Sequence, residues 1–100
     1  MDYHIFYLDE VEIDIIEART WYKASDTKLE NRFIDAIENT ILKIQAWPKA
    51  YSIRYKNVRI AHPPIFPYGI HFYIDDVQNR IVIIAIIHGR RHLDIAKKRL

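Results

Sequence analysis

Hydrophobic positions along this chain change their period twice. Tyr3 to Leu8 is a short aromatic and β-branched run and reads as a strand. Over residues 10–23 two periods compete. Val11, Ile13 and Ile15 alternate with Glu12 and Asp14, as a strand would, yet Leu8, Val11, Ile15, Ala18 and Tyr22 step by three and four, as a helix would. The early acidic residues decide for the helix, because carboxylates suit the positive end of its dipole. Asp9 with Glu12 three residues on has the pattern of a capping box. Ser25-Asp26-Thr27 reads as a break and a new cap, with Thr27 and Glu30 in the same capping register. Leu29, Phe33, Ala36, Ile37, Thr40, Ile41 and Ile44 then repeat at helical spacing up to Trp47, and Pro48 closes the segment. Two helices joined by so short a loop predict an antiparallel helical hairpin.

After Pro48 the period becomes that of strands. Residues 50–61 are strand-like, His62-Pro63-Pro64 marks a loop, and Phe66 to Ile74 predicts another strand. Asp75 to Asn79 reads as a hairpin connection into Arg80–His88, the most apolar strand and hence expected at the centre of the sheet. Leu93 to Leu100 reads as a short basic helix or as a fraying tail. The order β-α-α-β-β-β, with that terminal helix as an option, predicts an α+β fold: a helical hairpin packed on a small, mostly antiparallel sheet. The pairing of the first strand is not legible, because two helices separate it from the rest. With no repeat and no low-complexity tract, residues 1–100 read as one domain.

Composition narrows the classes. The chain has no cysteine, so disulfide frameworks and cysteine-ligated zinc or iron–sulfur sites are excluded. No apolar run approaches bilayer length, and Met1-Asp2-Tyr3-His4 lacks the basic region of a signal peptide, so a cytoplasmic protein with no membrane role is expected. The net charge of +2 hides an asymmetry. Residues 1–50 hold six Lys/Arg against ten Asp/Glu, and residues 51–100 nine against three, giving −4 and +6. The basic half suits an acidic partner, whether nucleic acid or an acidic protein segment, or serves only for solubility.

Candidate chemistry is sparse. His88 and His92 are four apart, a ligand spacing on a helix, but His88 ends a predicted strand, so no metal site is expected. His71, between Ile70 and Phe72, reads as a packed, hydrogen-bonded residue, while His4 and His62 read as peripheral. The two glycines, Gly69 and Gly89, form no phosphate-binding loop, and neither Ser25 nor Ser52 sits in a nucleophile elbow. The helical carboxylates read as a solvated face, and no cofactor is expected. What remains is cationic: Arg54, Lys56 and Arg59 on one strand region, the first two on a shared face if pairing is regular, and Arg90 and Arg91 after the apolar strand. Such groups can hold a phosphate backbone, dock an acidic protein surface, or only guard a strand edge. Phe6, Phe33, Phe66, Phe72, Trp21 and Trp47 sit where core residues are expected.

The order and spacing of several pieces resemble the RelE/ParE superfamily of toxins from bacterial type II toxin–antitoxin systems. These are Ala18 and Trp21-Tyr22 ending the first helix, Phe33, Ala36-Ile37 and Ile44 before Trp47-Pro48, Tyr51, Val58-Arg59, Phe66-Pro67-Tyr68-Gly69, the run Ile81 to Ile87, and His88-Gly89-Arg90-Arg91. The resemblance covers nearly the whole chain and implies a toxin neutralised by a cognate antitoxin, whose tail is often acidic and disordered before binding. It leaves three readings. ParE-like members, the plasmid-stabilisation branch, poison DNA gyrase. RelE-like members cleave mRNA on the ribosome. An inactive homologue would serve only as an antitoxin-binding module. Gly69 stands where RelE-type nucleases commonly place an arginine, and residues 93–100 lack the nuclease tyrosine, so the chain is most similar to the ParE-like side. With the resemblance and the cationic pattern together, the activity surface is expected at Arg59, Arg90 and Arg91, supported by Arg54, Lys56 and His88, with Tyr68 as a packing residue.

Overall fold

The computed structural model describes residues 3–91 and 93–100. Strand β1 (His4–Tyr7) leads into helices α1 (Asp9–Ser25) and α2 (Thr27–Ala46), and a 3₁₀ turn at Pro48–Ala50 follows. Strands β2 (Ile53–Tyr55), β3 (Val58–Ala61), β4 (Tyr68–Asp75) and β5 (Arg80–His88) come next, and a four-residue helix α3 (Asp94–Lys97) ends the chain. The sheet order is β1-β5-β4-β3-β2. Every pair is antiparallel except β1 with β5, which is parallel, Ile5 lying beside Ile81 and Tyr7 beside Ile83. The α+β architecture is therefore as the pattern predicts. The apolar strand β5 is interior, but the middle position belongs to β4.

One face of the sheet packs against the hairpin. Phe33, Ile37, Ile41 and Ile44 from α2 and Val11 and Ala18 from α1 meet Ile70, Phe72, Ile81, Ile83 and Ile86. Phe33, fully buried, touches the rings of Tyr22, Phe66 and Tyr68 at centroid distances of 5.0–5.3 Å, and burying such a side chain contributes about 2–3 kcal/mol. The opposite face carries Val58, Val82, Ile84, Ala85 and Ile87 and is capped by Ala96 of α3. A bulge in β5 allows this division. His71 pairs with Ala85 and Phe72 with Ile83, so Ile84 is extra, and Ile84 and Ala85 both turn away from the hairpin. Without that extra residue, strict alternation would swap the faces of every later side chain.

Several local expectations are corrected. Neither capping box forms. Leu8 is the N-cap of α1 with no side-chain bond, and α2 is capped by Asp26, whose Oδ1 accepts from the Lys28 N–H at 2.9 Å. Glu30 reaches instead to Arg19 Nε at 3.0 Å, tying the hairpin near its loop. Residues 50–61 are not one strand. They contain β2, a tight turn and β3, with Lys56 in the turn at φ 48°, so Arg54 and Lys56 share no strand face. Phe66 and Pro67 precede β4 rather than belonging to it. The carboxylates are not all solvated, since Asp14 and Glu30 are buried. Three aromatic residues expected in the core are outside it: Phe6, Trp21 and Trp47 are 45%, 71% and 73% exposed. No helix among the described residues is long and apolar enough to cross a membrane.

Candidate functional site

The C-terminal end of β5 lies beside the second half of α1, and a cleft of about 180 Å³ opens between them. Glu17 and Trp21 of α1 line one wall, and Tyr68, His88 and Arg91 the other. The alternation of β4 and β5 sets this up: Tyr68 pairs with His88, so both rings stand on the hairpin side and meet edge to face at 5.4 Å. Arg91 Nη1 lies 3.8 Å from Glu17 Oε2, an open ion pair between two exposed side chains. The His88 Nδ1 accepts from the Arg90 backbone N–H at 3.0 Å, so Nε2 is the ring nitrogen that carries the proton. Burial pushes the Tyr68 hydroxyl pKa above its usual value, with the Tyr22 and Glu17 contributions in the same direction and Arg91 opposing, so the hydroxyl stays protonated.

Next to this cleft runs the loop that enters β4. The Gly89 N–H donates to the Pro67 carbonyl at 2.8 Å, which joins the loop to the end of β5. Ile65 in that loop is 81% exposed at φ 74°, a left-handed conformation costly for a β-branched residue. Sequence reasoning missed Ile65, Glu17 and the exposure of Trp21. The last was foreseeable in part, because Trp21 lies one position off the stripe through Ala18 and Tyr22.

The other proposed residues are elsewhere. Arg59 of β3 lies opposite Phe72, while His88 lies opposite Tyr68, four residues or about 13 Å further along the sheet. Arg59 Nη1 donates to the Tyr51 carbonyl at 2.6 Å, a bond that fixes the approach to β2. Arg54 is exposed on β2, and its charge acts on His71 on the face away from the hairpin. Lys56 is in its turn. The five cations and one imidazole assigned to one surface therefore fall into two groups, Arg90, Arg91 and His88 at the end of β5 and Arg54, Lys56 and Arg59 at the β2–β3 edge. His92 lies outside the described residues.

His71 is packed as expected. It is 3% exposed, with Nδ1 2.8 Å from the Tyr55 hydroxyl. Burial first, then the charges of His62, Arg54 and Arg99, push its pKa down to about 4, against a smaller opposing effect of Asp14. Burial also pushes the Tyr55 hydroxyl up to about 12. Both groups are neutral near pH 7 and act as structure. Among the described residues no three His, Cys, Asp or Glu side chains are grouped to hold a metal ion.

The profile of the ParE toxin of type II toxin–antitoxin systems, parDE, matches residues 2–93. The chain belongs to the ParE toxin family. Among curated protein sequences no significant match is found. Of solved structures, the chromosomal ParDE toxin–antitoxin system from P. aeruginosa is similar at 13% identity, with a TM-score of 0.73 over 86% of this chain and 95% of that one. The toxin–antitoxin complex RelBE2 from Mycobacterium tuberculosis is similar at 17% identity, with a TM-score of 0.64 over 88% of this chain and 99% of that one. At these identities the likeness is one of fold. It covers both branches of the superfamily, so for this ParE-family toxin the site geometry is what bears on the target.

Proposed function

We propose that this ParE-family toxin acts as one unit over residues 1–100, in the cytoplasm, by gripping a protein target rather than by cutting RNA. DNA gyrase is the target that the family resemblance implies, and a cognate antitoxin is the neutralising partner. One observation carries the reading. Around the end of β5, exposed Trp21 lines one cleft with His88 and Arg91, Arg90 being next to Arg91 in the chain, and tryptophan and arginine are the side chains that dominate protein-binding hot spots. Phosphodiester chemistry asks instead for an acid, a base and cations within reach of one phosphate. Here Arg59, Arg54 and Lys56 stand apart from His88, and of the five cations only Arg90 and Arg91 are at its end of β5, Arg91 lying 3.8 Å from Glu17. Position 69 adds to this. A Cβ there would meet Ile60 Cγ2 at 3.0 Å, so a nuclease-type arginine would need the Ile60 side chain to give by a few tenths of an ångström.

Pulse labelling after controlled induction in a bacterium tests the target. DNA synthesis is expected to fail before protein synthesis, and the purified protein to inhibit supercoiling by gyrase. Protein synthesis failing first, with cleaved mRNA, overturns the reading in favour of the ribosome. The residue assignment has its own check: Arg90→Ala with Arg91→Ala abolishes growth inhibition in a folded protein. Retained inhibition moves the active surface elsewhere, with Arg59, Arg54 and Lys56 the next to test.

A further inference from the structure

The loop between β3 and β4 holds one residue in a backbone conformation that its side chain opposes. Ile65 has φ 74°, and across it the Phe66 N–H donates to the Pro64 carbonyl at 2.8 Å. A positive φ at the centre of so tight a bond is the γ-turn of the rarer, strained hand. Among the described residues Lys56 and Asn79 also have positive φ, each in a turn between paired strands, but only Ile65 sets a branched Cβ against that backbone. The turn has a structural purpose. It drops Phe66 into the core, where its ring meets Tyr22 and Phe33 at 5.2 and 5.3 Å. That purpose needs the backbone of residue 65 and not its side chain, since glycine or asparagine would make the same turn at less cost. The Ile65 side chain is 81% exposed and belongs to neither apolar cluster of the sheet, so little packing within the molecule offsets the strain.

The backbone around Ile65 is fixed. Pro63, Pro64 and Pro67 each lock a φ angle close to it. The Tyr68 N–H closes a second three-residue turn on the Phe66 carbonyl at 2.8 Å, and the Gly89 N–H holds the Pro67 carbonyl at 2.8 Å. Ile65 is thus a rigid apolar knob, and a preordered side chain loses little freedom when it docks. Its supports are those of the cleft at the end of β5. Gly89 precedes Arg90 and Arg91, Tyr68 lines the cleft, and Tyr22, on which Phe66 packs, is the sequence neighbour of exposed Trp21.

We infer that Ile65 is a contact residue for the toxin's protein target, entering an apolar pocket whose rim is acidic where it meets Arg90 and Arg91. This rests on the reading that the toxin grips a protein. An uncharged branched alkyl group gains nothing from a phosphate backbone, whereas in a protein pocket it gains the free energy of leaving water. The neighbouring arginines supply charge complementarity, and the knob supplies an apolar anchor that they lack.

Ile65→Asn and Ile65→Gly in the full chain test fold and function separately. Both variants are expected to melt no lower than the unsubstituted chain, because both residues accept a positive φ and little packing is removed. The amounts needed for half-inhibition, of growth at matched protein levels and of supercoiling by purified DNA gyrase, are each expected to rise about tenfold or more. Ile65→Val should keep most of the inhibition. Val77→Asn, at an exposed apolar residue in the hairpin beyond the other end of β4, should change neither readout. Inhibition unchanged by Ile65→Asn, or weakened equally by Val77→Asn, overturns the proposal and leaves the protein-target reading standing. A melting temperature that falls together with activity in both Ile65 variants overturns it too, because the side chain is then structural. Ile65→Lys separates the classes of partner. It is expected to weaken inhibition, since docking would bury a charge in an apolar pocket. Stronger inhibition by Ile65→Lys overturns the proposal in favour of a nucleic acid. Cleavage of mRNA on the ribosome by the unsubstituted chain overturns the reading on which the proposal rests.

Discussion

The two halves of β5 are both rich in isoleucine and share one edge, yet that edge is closed in different ways. Along Arg80 to Ile83 the neighbour is β1, and the closure is made of backbone bonds, ending with the Leu8 N–H to the Ile83 carbonyl at 3.0 Å. Beyond Ile83 the chain of β1 has turned into α1, and no strand is left to pair. Two side chains take its place. Asp14 Oδ2 accepts from the Ile86 N–H at 3.0 Å, and Arg99 Nη1 donates to the Ile84 carbonyl at 3.0 Å. The same two groups bond each other, Arg99 Nη1 and Nη2 meeting the carboxylate at 2.6 and 3.0 Å. The guanidinium fork and the carboxylate thus reproduce the donor and acceptor that a strand would offer. The difference teaches what each closure depends on. A backbone ladder tolerates most substitutions, whereas the side-chain closure depends on two residues 85 apart in sequence and on their charges.

The largest effect is expected from breaking the second closure. Asp14→Ala leaves the Arg99 charge without its carboxylate and the Ile86 N–H without its acceptor, in a site where the Arg99 and Asp14 side chains are 14% and 4% exposed, and should cost about 3–5 kcal/mol in urea unfolding. Replacing both, with Asp14→Leu and Arg99→Met, should recover a large part of that loss, since the penalty is for an uncompensated buried charge. A double variant no more stable than Asp14→Ala would show that the two backbone bonds, rather than the charges, carry the closure.

A second, smaller effect is one of pH. His71 pairs with Ala85 in the same half of β5 and is held neutral when folded, with a pKa of about 4 against an ordinary 6.5. The unfolded chain therefore binds more protons between those values. Stability is full above about pH 6.5 and declines as the pH falls toward 4, by about 3 kcal/mol in all. His71→Asn should flatten that part of the pH profile. An unchanged slope would assign the decline to other groups.

The smallest effect belongs to the half that β1 closes. Phe6 of β1 is 45% exposed and lies under Arg80, whose guanidinium carbon is 4.7 Å from the ring centroid. Phe6→Ala should cost about 0.5–1 kcal/mol, because the backbone ladder stays. A loss as large as that of Asp14→Ala would erase the contrast between the two halves.

The fold was largely legible in the sequence. The stripes through Val11, Ala18 and Tyr22 and through Phe33, Ile37 and Ile44 placed the hairpin and its buried face, and the run Ile81 to Ile87 placed an interior strand. Asp14 could have been noticed, since it sits in the stripe between Val11 and Ala18 where a polar residue needs a buried partner. Nothing near Arg99 announces it as that partner. The candidate site was half legible. His88, Arg90 and Arg91 are adjacent in sequence and stay together, while grouping them with Arg59, Arg54 and Lys56 assumed a proximity that the register between β3 and β4 decides.

The sequence by itself determined the two long helices with their buried stripes, the apolar strand β5, and the toxin family, because those follow from local periodicity and from motif order. Only the tertiary structure decided that β1 runs parallel to β5, that a bulge at Ile84 turns the second half of that strand, and that Asp14 and Arg99 seal the edge. Those are pairings between residues far apart in the chain. They are fixed by which unsatisfied backbone and charged groups meet once the core has closed, and no local pattern encodes that meeting.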